Sequence, residues 1–529
     1  MKIFEDETNN ISHKKFEYSL SKSLYFLLII FTIGIIIRIY YLPFDLPLVL
    51  DAQNYFWYGN DMSILKQIPV EYDAHNNLWS SILSVFFSMN SSNNILDFMN
   101  IQRILSTVIS ALTVFPVFFL CKKFFSNKYS LLGASFFIFE PRLIINSLQG
   151  ITEPIYLIIG ILIILFSLNK NKKYYYISFG LAAIFSLIRY EGLLILLPLT
   201  IIYFWKFKIN KKSILKYGLC LLIFTLVIFP MVEARIQATG QDGLTSHILG
   251  GTNYISNTLT GNQEKQDKTE FVKSGVLNTI KFLGWITIPI WLIFLPYGIF
   301  KYFKKFEQKQ GILLLFSIIL VLPAFYAYAR DISETRYLYI LFPLFSIISL
   351  YSIQKIEKIK NFKIIYVLVI IGIIFSSIAW LEYKWIDEKY EKEAFTLSLK
   401  IKEITNGINE FYPESTYFQF IDLDKKFPNL KNQINNDHKL FSTYKYENIE
   451  EFLLNEEENG LTHIVVDESQ KRDNLRKEFL IEIYENENNY NFLKKIYDSN
   501  DEGFNYKLKV FKINYDLFDE HIKIINKFN

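Results

Sequence analysis

Five places in the 529-residue chain combine ionisable side chains in ways that suit chemistry. Asp51 closes the run Leu-Pro-Leu-Val-Leu-Asp, an apolar lead-in that delivers a carboxylate to the start of an expected helix at Ala52. It is placed either to take a proton or simply to cap that helix. Glu71, Asp73 and His75 in Glu-Tyr-Asp-Ala-His bring two carboxylates and an imidazole within five residues. That set suits a sugar or a divalent metal ion, although the spacing matches no tight metal signature and a solvated loop explains it as well. Glu153 in Gly-Ile-Thr-Glu-Pro is an acid at a helix start, where the helix dipole favours it. Arg189 and Glu191 in Leu-Ile-Arg-Tyr-Glu-Gly form a local pair inside an apolar stretch. Arg330, Asp331, Glu334 and Arg336 crowd into Ala-Arg-Asp-Ile-Ser-Glu-Thr-Arg-Tyr. Two guanidinium forks at that spacing make a clamp for a phosphate, or two side chains reaching for lipid headgroups.

The elements that carry these residues are mostly membrane helices. The chain is 51% hydrophobic and 17% aromatic, with a mean hydropathy of +0.19. Its long apolar blocks bounded by lysines exclude a soluble enzyme, a disordered chain and a disulfide scaffold. Cys121 and Cys220 stand far apart and offer neither a disulfide framework nor zinc-ligand spacing. A first uncleaved span is expected over 24–42, after a cytoplasmic tail at 1–23. Further apolar blocks near 101–120, 129–146, 154–168, 174–188, 191–205, 214–231, 276–300, 311–329, 336–354 and 363–382 bring the expectation to eleven spans.

Charge fixes the expected sidedness. Residues 174–205 are flanked by lysines at both ends, so the positive-inside rule folds them into a hairpin with Arg189–Gly192 at its outer tip. Residues 129–168 follow the same logic. The basic loops together hold 23 lysines, whereas 43–100, the expected first external loop, holds one lysine against six acids. An apolar patch at 78–89 is too short to span and is expected to lie along the outer interface. From Trp385 onward there are 20 Lys+Arg against 29 Asp+Glu, leaving 36 basic and 23 acidic residues in the remainder. The expectation is a basic membrane body over 24–384 and an acidic extracytoplasmic α/β domain over 385–529. In that domain Leu397, Ile401, Ile404 and Ile408 predict one amphipathic helix, and Thr416–Phe420, His463–Asp467 and Lys507–Lys512 predict strands.

Ionisable groups therefore gather at the outer ends of the spans, where acids for proton transfer and arginines for an anion border on lipid. Transfer of a group from a membrane-anchored phosphate to an acceptor outside is the reaction class this favours. The pattern resembles the GT-C fold of glycosyltransferases that use polyprenyl-phosphate sugars, and is similar to the group of dolichyl-phosphate-mannose-protein mannosyltransferases and aminoarabinose transferases. The resemblance covers about residues 20–385. It rests on Asp51-Ala-Gln-Asn-Tyr-Phe after the first span, a large first external loop, Thr152-Glu153-Pro154, Arg189-Tyr190-Glu191-Gly192, and Ser333-Glu334-Thr335-Arg336-Tyr337 before Leu341-Phe342-Pro343-Leu344.

The resemblance implies a polytopic membrane enzyme that inverts the sugar in one displacement, with Asp51 as base and Glu153 as a second catalytic acid. It implies that Arg336, helped by Arg189 and Arg330, meets the donor phosphate, leaving Glu71, Asp73, His75, Glu191 and Glu334 for acceptor or sugar. The donor would be a polyprenyl- or dolichyl-phosphate sugar, the acceptor a protein, glycan or lipid, and a divalent metal ion a possible helper. Ala52 follows Asp51 where the protein mannosyltransferases have Glu, which speaks against protein O-mannosylation. The tail lacks the Trp-Trp-Asp signature of oligosaccharyltransferases. Two other classes compete: an outer-face polysaccharide polymerase or ligase, for which the 232–275 loop is large enough, and a multi-span transporter, which would want polar groups near the bilayer midplane.

Overall fold

The computed structural model describes residues 19–70, 72, 77–245, 268–304, 306–357, 362–410, 427–431, 438–468 and 477–528. Two compact units make up the chain: Met1–Pro43 with Asn54–Met89 and Asn100–Glu382, and Phe44–Gln53 with Asn90–Met99 and Tyr383–Asn529. The first is a polytopic helical body. Among the described residues, seven helices are long and apolar enough to cross a membrane, and a bent pair, α6 (Asn127–Ile138) and α7 (Pro141–Leu148), would make an eighth. The expected count of eleven is not met by length alone. Two expected spans are the shorter helices α8 (Glu153–Ser167) and α9 (Lys173–Ile188), of 15 and 16 residues. The expected span at 276–300 is instead two helices, Lys268–Ile286 and Leu295–Lys304. Pro289 lies between them, removing a backbone donor and steering Ile288 away from helical geometry.

Both breaks are bridged by buried arginines. Glu140 takes an extended conformation before Pro141, which parts α6 from α7. There Arg38, wholly buried on α1 (Leu20–Tyr40), donates to Ile138 O at 3.0 Å, to Gly34 O at 3.1 Å and to Ser110 Oγ at 3.3 Å. Gly34 makes room for the approach, since a Cβ would sit 2.4 Å from Ile138 Cδ1 and push that side chain aside. At the second break Arg142 donates to Trp285 O at 2.9 Å and to Ile288 O. Unpaired carbonyls in hydrocarbon are costly, so these arginines stabilise the bends. Arg38→Met is expected to lower stability by roughly 3 kcal/mol, seen as a fall in the thermal midpoint of the detergent-solubilised protein. An unchanged midpoint would remove Arg38 from that role.

The lysine-bearing loops meet one another. Lys206, at the end of α10 (Leu196–Phe207), donates to Ser167 O at 2.7 Å and Asn169 O at 3.1 Å. Lys123 reaches Asn169 Oδ1 at 3.3 Å, and Lys172 reaches Ser213 Oγ at 3.2 Å. Residues 174–205 therefore begin and end at one pole, as the hairpin reading expects, and 129–168 do likewise. The interfacial patch forms helix α3 (Asn77–Ser88), which buries Trp79, Leu83 and Phe87 while Val85 and Phe86 stay exposed.

The second unit holds a five-stranded sheet in the order β2-β1-β3-β5-β4. Strands β1 (Gly407–Asn409), β2 (Lys439–Phe441) and β3 (His463–Asp467) are parallel. Strand β5 (Leu508–Ile513) runs antiparallel to β3 and to β4 (Leu493–Asp498). The expected strand at Thr416–Phe420 lies outside the described residues. The amphipathic helix is the end of one long helix, Phe362–Ile404, rather than a separate element, and Ile408 belongs to β1 instead. The helix ends at Ile404, and β1 opens at Gly407, which passes so close to Gly460 that a Cβ there would lie 2.6 Å from its carbonyl oxygen.

Candidate active site

At the pole of the helical body opposite the lysines, four of the expected residues converge. Glu153 opens α8 with Pro154 behind it, an arrangement that suits both the unpaired donors and the dipole of a helix start. Arg189 is an extended residue, φ −145° and ψ 130°, between α9 and a 3₁₀ turn over Tyr190–Ile195. Gly192 lets that turn fold back on α9, because a Cβ there would sit 2.7 Å from Phe185 O. Arg336 comes from a second 3₁₀ turn, Thr335–Leu341. Chain segments distant in sequence thus bring two guanidinium groups to one carboxylate.

The geometry is specific. Arg189 Nη1 lies 2.9 Å from Glu153 Oε1, and its Nη2 lies 3.0 Å from Glu191 Oε1. Arg336 Nη1 approaches the same Glu153 oxygen at 3.7 Å, while its Nε lies 3.7 Å from Glu334 Oε2. Glu153 is 6% exposed at its side chain and Arg336 20%, whereas Glu334 is 53% exposed and forms the rim. Tyr156 and Tyr337 flank Arg189 with ring centres at 5.9 and 5.6 Å. These side chains line a narrow pocket with Tyr339, Leu320 and Pro323. Glu153 Oε2 and Glu191 Oε2 are buried and make no hydrogen bond among the described residues. They are open acceptors for a ligand that donates hydroxyls, as a sugar does.

Within the pocket the charges balance, two arginines facing Glu153 and Glu191, while the exposed Glu334 adds a third carboxylate to Arg336 at the rim. The arginine clamp is thus a partnered one, in which each guanidinium is already oriented by a carboxylate. Behind it, Arg142 lies 3.4 Å from the fully buried Glu140 and stacks on Trp380 at 4.6 Å. The tyrosines were missed as wall residues, although the run Tyr337-Leu338-Tyr339 beside Arg336 was a signal for them.

Other expected residues lie elsewhere. Asp51 sits in the first turn of α2 (Leu50–Leu65), in a part of the chain belonging to the second unit. The helix begins at Leu50 rather than Ala52, and Leu50 has φ +52°, a left-handed conformation uncommon for a bulky residue. Arg330 is exposed, rests on the Tyr326 ring at 5.5 Å and does not line the pocket. Glu71, Asp73 and His75 lie outside the described residues. Among the described residues no group of three His, Cys, Asp or Glu side chains is arranged to hold a metal ion.

No protein-family model matches the chain, and no curated protein matches it in sequence. Solved structures do match in fold. ArnT from Cupriavidus metallidurans bound to undecaprenyl phosphate aligns with a TM-score of 0.56 at 7% identity, over 93% of this chain and 98% of that one. The archaeal oligosaccharyltransferase AglB from Archaeoglobus fulgidus, in complex with an inhibitory peptide and a dolichol-phosphate, aligns with a TM-score of 0.51 at 12% identity, over 85% of this chain and 70% of that one. Both have the GT-C architecture, and the expected GT-C fold is therefore the one found.

Proposed function

We propose that the protein is a membrane glycosyltransferase that moves a sugar from a polyprenyl-phosphate carrier to an acceptor hydroxyl or amine on the outer face. The observation that carries the reading is the meeting of Arg189 and Arg336 on Glu153 in a tyrosine-lined pocket. The lipid phosphates bound by the fold neighbours, undecaprenyl phosphate in ArnT and a dolichol-phosphate in AglB, support the choice of carrier.

In this reading the acceptor attacks the anomeric carbon and gives its proton to Asp51. The bond from that carbon to the phosphate oxygen breaks, and the electron pair leaves with the phosphate. The donor carries one negative charge as a phosphodiester and leaves with two as a phosphomonoester. Arg336 and Arg189 meet that growing charge. Open acceptor atoms on Glu153 and Glu191 take hydroxyls of the sugar. Displacement in a single step inverts the anomeric centre. Glu334 at the rim serves the acceptor side; Glu71, Asp73 and His75 are the further candidates for acceptor or sugar. By the positive-inside rule the lysine-rich pole faces the cytoplasm, which supports an outer-face pocket.

The test is transfer of label from a panel of polyprenyl-phosphate sugars to host membranes by purified protein. Label moved by the wild type and lost in Arg336→Gln is the expected result. Failure with every donor would turn attention to polymer assembly or transport.

A further inference from the structure

The lysine pole carries a second feature, about 20 Å from the pocket along the 15 residues of α8. Residues 120–128, 167–173 and 204–216 hold eleven lysines and no Asp or Glu. Simple avoidance of like charge would scatter them, yet Lys123, Lys170 and Lys206 converge, and Lys309 joins them from a fourth segment. Lys206 is gripped by the carbonyls of Ser167 and Asn169, Lys123 by Asn169 Oδ1, and Lys309 by the carbonyl of Lys123 at 3.2 Å. Lys123, Lys170 and Lys309 are all near enough to Lys206 to repel it. Glu307, the acid two residues before Lys309, is engaged in a capping box with Gln310.

An independent observation points to lipid. Trp205, Phe303 and Phe306 stand 52%, 55% and 50% exposed at the same pole. Trp205 and Phe306 both lie over Gly311, where a Cβ would be 3.2 Å from the indole and 3.5 Å from the phenyl ring. Exposed aromatic rings beside lysines are the pattern of a helix end at headgroup depth.

We propose that this pole holds the phosphate headgroup of an anionic phospholipid, with Lys123, Lys206 and Lys309 on the phosphate and Trp205 and Phe306 against the glycerol and upper acyl chain. Carbonyl-anchored ammonium groups cannot swing apart to relieve their repulsion, so an anion shared among them relieves it instead. The site is independent of the transfer chemistry.

Full-length protein, stripped of lipid in neutral detergent, is titrated with phosphatidylglycerol, phosphatidylcholine or inorganic phosphate and read by native mass spectrometry. Phosphatidylglycerol is expected to bind at least about tenfold more tightly than phosphatidylcholine. The combined Lys123→Gln, Lys206→Gln and Lys309→Gln variant should lose that preference, and the corresponding arginine variant should keep it. Equal binding of the two lipids by the wild type overturns the proposal without needing any variant. An undiminished preference in the glutamine variant overturns it too. Inorganic phosphate that displaces phosphatidylglycerol at equal concentration would make this a free-anion site rather than a lipid site.

Discussion

Asp51→Asn is expected to lower turnover about 10²–10⁴-fold, the range of a positioned general base, while leaving donor affinity within a few fold. The substitution keeps the size and polarity of the side chain and removes only the proton acceptor. The prediction separates the two readings of this residue. As a helix-start acid, Asp51 interacts with the dipole and first donors of α2, and the asparagine amide keeps most of that, as Asn is among the best residues at a helix start. A helix-capping role therefore predicts nearly full activity and a thermal midpoint within a degree or two. A base predicts the same midpoint and almost no turnover. Leu50 adds a reason to watch this turn, because a bulky residue at φ +52° needs support from its surroundings, and such strain gathers at functional sites. Turnover of Asp51→Asn equal to wild type would return the residue to structure.

The sequence made parts of this arrangement readable and hid others for physical reasons. Positive-inside charge predicted both hairpins, because lysines cross hydrocarbon at great cost and so mark one side. The bonds of Lys206 to the 167–169 turn agree with that reading. Arg189 and Glu191 were legible as a pair because they stand two residues apart. The link from Glu153 to Arg336 was not legible as a contact, since only the packing of α8 against the late 3₁₀ turn creates it. Helix length alone does not return the expected eleven spans where helix breaks interrupt an apolar block and their carbonyls are taken up by buried arginines. Composition sees a continuous apolar block at 276–300, but the partner that makes its interruption tolerable, Arg142, lies far away in sequence. In the C-terminal unit, Ile408 matched the helical period and yet became a strand residue, because it pairs with Leu440 and His463, partners that local periodicity does not reveal.

The charge balance of the pocket yields the second large prediction, in which two neighbouring substitutions move donor binding in opposite directions. Before donor enters, Arg189 and Arg336 are matched by Glu153 and Glu191. Donor adds one negative charge and the leaving phosphate a second, so the arginines matter more in the transition state than in the bound ground state. Arg336→Gln should thus lower kcat about 10²–10³-fold, as loss of one donor to a developing oxyanion does, and raise donor KM less. Arg336→Lys keeps the charge without the fork that serves Glu153 and phosphate together, and should fall between. Glu153→Gln removes a competitor for the same guanidinium groups. Donor KM should then fall while kcat also falls, because the arginines bind the ground state more tightly and lose the carboxylate that aims them. Measuring kcat and donor KM for the three variants with one labelled donor decides the matter. If Arg336→Gln and Glu153→Gln shift donor KM in the same direction, Glu153 is not a counter-ion displaced by phosphate, and the pocket would have to bind donor through its sugar alone.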